Sequence, residues 1–223
     1  MNEGGLRLGV LVSGRGSNLQ AILEASSSSR IRASVEVVIS DRPQAAALGL
    51  ARQSGVSTVC LNPKEYPNRE AFDAAVAELL QKYRVELVVL GGFLRLITAK
   101  LILPFKNRII NIHPSLLPCF PGLSAQKQAL TRHVKITGCT VHFVDETMDQ
   151  GPVIIQAAVP ILEEDTEETL GARILEQEHR ILPQAIQYFA EGRLEIKGNR
   201  VHIKSPLSQS AAFLCSPGLE IIM

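Results

Sequence analysis

Up to Leu90, short apolar runs alternate with segments of helical spacing, and this alternation restricts the fold more than any other feature of the chain. Leu6 to Val12 (LRLGVLV), Val35 to Ser40, Val56 to Leu61 and Val85 to Leu90 each read as strands. Between them, LQAILEAS, Gln44 to Ser54 and Asn68 to Tyr83 have the spacing of helices, with a serine-rich connector at Ser26 to Ser29. In the third helix Ala71, Phe72, Ala75, Val76, Leu79 and Leu80 fall on one face. The order βαβαβαβ predicts an α/β fold: a Rossmann-like, doubly wound, mostly parallel sheet. Val85 to Leu90 is the most apolar of these strands, which predicts a central place for it.

The remainder extends that sheet. Thr98 to Phe105 and Gln126 to Arg132 read as helices, and Arg108 to Ile112 as a buried strand. Gly138 to Val144 and Val153 to Val159 alternate as two strands joined by an acidic turn, a hairpin-like finger. Thr166 to Phe189 predicts a long helix, with Thr166 and Thr169 as caps, Glu167 and Glu168 at its positive end and Pro183 as a kink. A terminal hairpin turns at Gly198-Asn199. With no internal repeat and 223 residues, a single domain over 1–200 with a tail over 201–223 is the simplest division.

Composition excludes several classes. A net charge of +1 gives no clustered basic excess, so no nucleic-acid partner is expected. Four cysteines, Cys60, Cys119, Cys139 and Cys215, lie far apart without a C-x-x-C pair and read as buried or incidental thiols in a reducing compartment. No apolar run reaches membrane-spanning length and no leader pattern opens the chain, so a cytoplasmic protein without a membrane partner is expected. There is no ligand cluster for a metal.

Two stretches carry chemistry. Ser13-Gly14-Arg15-Gly16-Ser17-Asn18 follows the first strand and opens the first helix, a place where backbone N–H groups converge on an anion. Glycine there permits close approach of a phosphate, and Ser17 or Asn18 could cap the helix and donate to it; a turn and cap without ligand is the alternative. The dinucleotide pattern G-x-G-x-x-G is half met, because Leu19 replaces the third glycine. This favours a phosphate monoester, although Asp41 stands roughly where a nicotinamide enzyme places its ribose-binding acid.

The second stretch, NIHPSLLP from Asn111 to Pro118, puts an amide and an imidazole on one side of a strand at its carboxyl end. An amide that donates to a developing oxyanion beside an imidazole that moves a proton is a small catalytic kit. A satisfied strand-end histidine and a turn asparagine form the alternative. Asp149, in the acidic turn, is the candidate carboxylate that holds a histidine or a water; turn chemistry is its alternative.

Together SGRGSNLQA, GGFLRL, and NIHPSLLP followed by GCTVHFVDETMDQGPVI resemble the phosphoribosylglycinamide formyltransferase family over about Leu6 to Arg193. The resemblance implies transfer of a formyl group from 10-formyltetrahydrofolate, as cosubstrate, to the amine of glycinamide ribonucleotide, without a metal. It implies Asn111, His113 and Asp149 as catalytic residues. It implies a phosphate loop of Gly16, Ser17 and Asn18, with Glu178 also on the ribonucleotide. The folate side it implies is Arg69, the backbone of Leu94, Arg95, Leu96 and Ile97, Asn111, and the loop from Val144 and Asp145 to Asp149. Family members often carry histidines just past the proline-glycine turn, where this chain has Ser124 and Gln126. A monomer or homodimer is expected.

Chemically, attack of the amine on the formyl carbon builds negative charge on oxygen. One donor at that oxygen contributes about 3–4 kcal/mol. A carboxylate close to His113 favours the charged imidazole and could order the water that carries the proton.

Overall fold

The computed structural model describes residues 5–205. The tail beyond Ser205, including Cys215, lies outside the described residues. The chain begins with β1 (Leu6–Val12), α1 (Ser17–Ser27), β2 (Ala33–Ser40), α2 (Ala46–Gln53), β3 (Ser57–Cys60), α3 (Arg69–Lys82) and β4 (Leu87–Leu90). It continues with α4 (Ala99–Ile102), β5 (Ile109–His113), α5 (Ala125–Thr131), β6 (Ile136–Phe143), β7 (Val153–Pro160), α6 (Glu167–Ala190), β8 (Leu194–Lys197) and β9 (Arg200–Ile203).

Among the described residues, seven strands form one sheet in the order β3-β2-β1-β4-β5-β6-β7. The first five are parallel. β6 and β7 add to the edge of β5 in antiparallel fashion. β4 takes the central place that its apolar character predicts. The period of two in β1 shows how the sheet divides the core: Leu8, Val10 and Val12 enter one apolar cluster and Leu11 the other. The first cluster is closed by Leu19 and Ile22 of α1 and Ile174, Leu182 and Ile186 of α6. Phe72, Val76 and Leu80 of α3 and Leu101 of α4 close the second.

Several boundaries differ from the sequence reading for local reasons. The serine run does not precede the second strand as a free connector: α1 continues through Ser27, and the Ser28 hydroxyl donates back to Glu24 O at 2.6 Å at the helix end. The helix expected over 98–105 is α-helical only to Ile102; Pro104, which has no N–H to give, sits in a short 3-10 turn, Leu103–Phe105. α6 runs unbroken from Glu167 to Ala190 with Pro183 buried within it. Its start is a reciprocal cap in which the Thr166 hydroxyl accepts the Thr169 N–H and Thr169 returns the bond. The terminal hairpin turns at Gly198-Asn199 and runs to Ile203, past residue 200. Cys139 is buried, with its thiol pushed up to about 12 by that burial and the nearby Glu178, whereas Cys60 and Cys119 are exposed. Among the described residues no helix is long and apolar enough to cross a membrane.

Candidate active site

β1, β4 and β5 lie side by side, and the loops that leave their carboxyl ends share one edge of the sheet. These are the three segments that carry the sequence motifs.

At β5, Asn111 and His113 face the same side, as a period of two requires. Asn111 is paired in register with His142 of β6, and its Nδ2 lies 3.2 Å from His142 Nε2. His142 Nδ1 is 2.8 Å from the Phe143 carbonyl, which can only accept, so Nδ1 carries the proton and the bare Nε2 receives the Asn111 amide. Burial lowers the basicity of His142 and keeps it in this neutral form. His113 is oriented in the same manner: Nε2–H donates to the Phe120 carbonyl at 2.9 Å. That leaves Nδ1 as its working edge.

Asp149 reaches both rings from the turn between β6 and β7. Its Oδ2 is 3.6 Å from His113 Nδ1 and its Oδ1 is 3.7 Å from His142 Nε2. Both separations exceed a direct hydrogen bond. The carboxylate is fixed from behind by the Gly122 N–H, which donates to Oδ2 at 2.8 Å. Asp149 itself adopts a left-handed backbone, φ 55°. The turn returns to β6 at Gly151, where a Cβ would stand 1.9 Å from the Phe143 carbonyl oxygen, so only glycine permits this closure.

One expectation about the glycine-rich turn needs correction. Neither Ser17 nor Asn18 caps α1; Gly16 occupies the cap position with φ 87° and no side chain serves it. Gly16 is also required by packing, since a Cβ there would lie 2.6 Å from Ala47 Cβ of α2. Asn18 turns inward instead, and its Nδ2 donates to Glu178 Oε2 of α6 at 2.8 Å. Both residues are buried, and Asn18 Oδ1 has no hydrogen-bond partner among the described residues. Burial raises the Glu178 carboxyl, with the Asn18 amide opposing the shift.

After β4, the Leu94 and Leu96 side chains are half exposed. The Arg95 guanidinium stacks 4.9 Å over the Phe72 ring. Ile97 of the β4 loop and Val144 at the start of the β6–β7 turn pack on the same apolar cluster. The Asp145 carboxylate accepts the Thr147 N–H, a local turn bond. Arg69 is exposed on the first turn of α3. Beyond the expected residues, buried Asp73 accepts the Thr98 N–H at 2.5 Å and anchors the far end of this loop. Ser124 has a left-handed backbone and does not cap α5; Gln128 holds the preceding loop through Pro121 O and Leu123 O, each at 3.0 Å. Among the described residues no group of three or more His, Cys, Asp or Glu side chains has a metal-binding arrangement.

A Rossmann-like sheet with an antiparallel edge and an Asn–His–Asp cluster at a strand end defines a class, and the formyl transferase profile matches residues 6–186. The chain belongs to the formyl transferase family. It is 42% identical over 190 residues to phosphoribosylglycinamide formyltransferase of Escherichia coli (strain K12), covering 85% of this chain and 90% of that protein. It is 45% identical over 188 residues to the trifunctional purine biosynthetic protein adenosine-3 of Drosophila melanogaster, covering 83% of this chain. The chain spans only 14% of the length of that trifunctional relative. The crystal structure of glycinamide ribonucleotide transformylase 1 from Symbiobacterium toebii superposes with a TM-score of 0.89 at 57% identity, covering 91% of this chain and 95% of that one.

Proposed function

We propose that this chain transfers a formyl group from 10-formyltetrahydrofolate to the amine of glycinamide ribonucleotide. The products are the N2-formyl ribonucleotide and tetrahydrofolate, a step of de novo purine biosynthesis leading to IMP. The observation that carries the reading is the convergence of Asn111, His113 and Asp149 at the end of β5. The neighbouring strand ends offer a phosphate loop and an apolar loop. The relationship to the E. coli enzyme over 90% of its length supports the same substrates.

In this reading the ribonucleotide phosphate lies on the loop of Gly16, Ser17 and Asn18, at the N-terminus of α1, and Glu178 takes polar groups of the same substrate. The folate ring rests against the segment Leu94 to Ile97, bounded by Val144, Asp145 and Asn111, with Arg69 toward its acidic end. The Leu94 N–H is already given to Ser13 Oγ, so what Leu94 offers a ligand is its carbonyl and side chain.

The amine attacks the formyl carbon, forming the new C–N bond and a tetrahedral oxyanion. The second N–H of Asn111, whose first is held by His142, and the Nδ1–H of charged His113 donate to that oxygen. Asp149 Oδ2 stands 3.6 Å from His113 Nδ1 and can order a water that lies beside the pair, within reach of both groups. Through that water the amine proton passes to the folate nitrogen, whose bond to carbon then breaks. Holding both substrates on fixed loops converts the encounter into a local reaction. The reading also carries a cytoplasmic location, a monomer or homodimer, and no metal.

The test is a steady-state assay with glycinamide ribonucleotide and 10-formyltetrahydrofolate, following release of the deformylated folate. Turnover that requires both compounds and disappears in His113→Ala supports the proposal. Release with water alone, indifferent to the ribonucleotide, marks a hydrolase and overturns it.

A further inference from the structure

Asp41 is marked by the sequence and has no task in the formyl-transfer reading, yet it is buried at the end of β2. Its partner is Ser13, which ends the run of β1 and precedes the phosphate loop. The Ser13 hydroxyl donates to Asp41 Oδ1 at 2.6 Å. Ser13 Oγ in turn accepts the Leu94 N–H at 3.0 Å, and the Ser13 N–H donates to the Gly92 carbonyl at 3.0 Å. Gly92 holds φ 81°, so the bonds from Ser13 hold the β4 loop where its backbone enters the left-handed region.

A serine hydroxyl has one proton and free rotation about its C–O bond. Giving that proton to a carboxylate fixes the rotation and turns a lone pair toward Leu94. Ser13 is 2% and Asp41 8% exposed, so the bond between them is largely shielded from water. Arg42 Nε, 4.0 Å from the other Asp41 oxygen on the exposed side, does not displace the serine.

We propose that Ser13 and Asp41 are a positioning pair that sets the β4 loop, and with it the folate, against the loop that holds the ribonucleotide. The proposal rests on the formyl-transfer reading of these two loops. Neither side chain is placed at the reacting atoms. Asp41 acts on Ser13, Ser13 acts on Gly92 and Leu94, and the loop from Leu94 to Ile97 presents the folate surface. The acid that would have marked a nicotinamide enzyme is thereby turned inward, toward the scaffold.

The test compares wild type with Ser13→Ala, Asp41→Ala and Asp41→Asn. Each is titrated at equilibrium with a dideaza analogue of 10-formyltetrahydrofolate and, separately, with glycinamide ribonucleotide; thermal melts accompany both. Ser13→Ala and Asp41→Ala are expected to weaken the folate analogue about tenfold, the loss of one buried hydrogen bond to a charged group. Ribonucleotide affinity stays unchanged, and Asp41→Asn, whose amide oxygen accepts the same bond, restores most of the folate affinity. Folate affinity equal to wild type in both alanine variants overturns the pair. Parallel loss of both affinities with a lowered Tm also overturns it, as does an asparagine variant as weak as the alanine. A wild-type chain that binds no folate analogue overturns the formyl-transfer reading itself, and the pair's role with it.

Discussion

Two polar centres of the candidate site are built in opposite ways. At the end of β5, Asn111, His113, His142 and Asp149 hold one another, and backbone groups of Phe120, Gly122 and Phe143 fix both rings and the carboxylate from behind. Between α1 and α6, Asn18 and Glu178 share one hydrogen bond in a buried place, and Asn18 Oδ1 has no partner among the described residues. The first centre is organised before any substrate arrives, as electrostatic stabilisation of a transition state requires. The second is stable only at a cost, because a buried acceptor without a partner and a desolvated carboxyl both oppose folding. On the proposed reading, the catalytic groups are made rigid by their own neighbours, and the binding group gains its last partner from the ligand.

The sharpest way to break this comparison is to remove a catalytic donor. Asn111→Ala and His113→Ala should each lower kcat about 10²- to 10³-fold. Ribonucleotide affinity measured by equilibrium titration should be preserved in both. Equal loss of affinity would mean that these side chains only shape a pocket, and the division between the centres would collapse.

Glu178→Gln should act in the opposite sense. The amide keeps an acceptor for Asn18 but carries no charge to desolvate, so the variant should melt higher at pH 7, by about 2–4 °C for each kcal/mol gained. Its ribonucleotide affinity should fall at the same time. The pH dependence follows from the sign of the shift. The Glu178 carboxyl is raised on folding, so its folded form holds the proton more tightly than its unfolded form. Its cost to stability is therefore present above the folded value and disappears as the pH falls toward the ordinary glutamate range. The gap in Tm between wild type and variant should close on acidification.

His142 should show the reverse slope. Its basicity is lowered by burial, so the unfolded chain binds the proton first. Wild type should lose stability as the pH drops below about 6.5, the ordinary histidine value. Denaturation midpoints of His142→Gln should fall less steeply over the same range.

The smallest effect belongs to the cap of α6. Thr166→Ala should cost about 1 kcal/mol in chemical denaturation. Turnover should remain near wild type, because Glu178 lies three turns further along a helix that the apolar cluster also holds. A large loss of turnover here would show that the second centre depends on the helix start.

Periodicity made most of the fold legible: four strands, three intervening helices and the hairpin of β6 and β7 follow from runs of apolar residues and their spacing. Asn111 and His113 were legible as a pair because a strand fixes which side chains face together. His142 was visible as a residue in a strand, but its place opposite Asn111 depends on a register that no local pattern carries. The Phe120 carbonyl and the Gly122 N–H that fix His113 and Asp149 are main-chain groups, which every residue type provides alike. Gly16 was legible as important but for another reason, since the neighbour that excludes a side chain is Ala47 of a different helix. Asp41 was legible only as an acid following the second strand, roughly where a nicotinamide enzyme places its ribose contact, whereas its burial and its partner depend on β2 and β1 lying adjacent.

The bond from Asn18 to Glu178 joins residues 160 positions apart. Closing so long a loop is entropically late, because the chain between must already be ordered for the contact to return anything. On the reading above, the ribonucleotide site therefore requires the chain from α1 through α6 to be in place. A chain whose C-terminal helix is not docked lacks Glu178 and so has no complete seat for the ribonucleotide. Occupancy of that seat then reports that folding has run to its end, and a metabolite that waits for it stabilises finished molecules without trapping half-made ones.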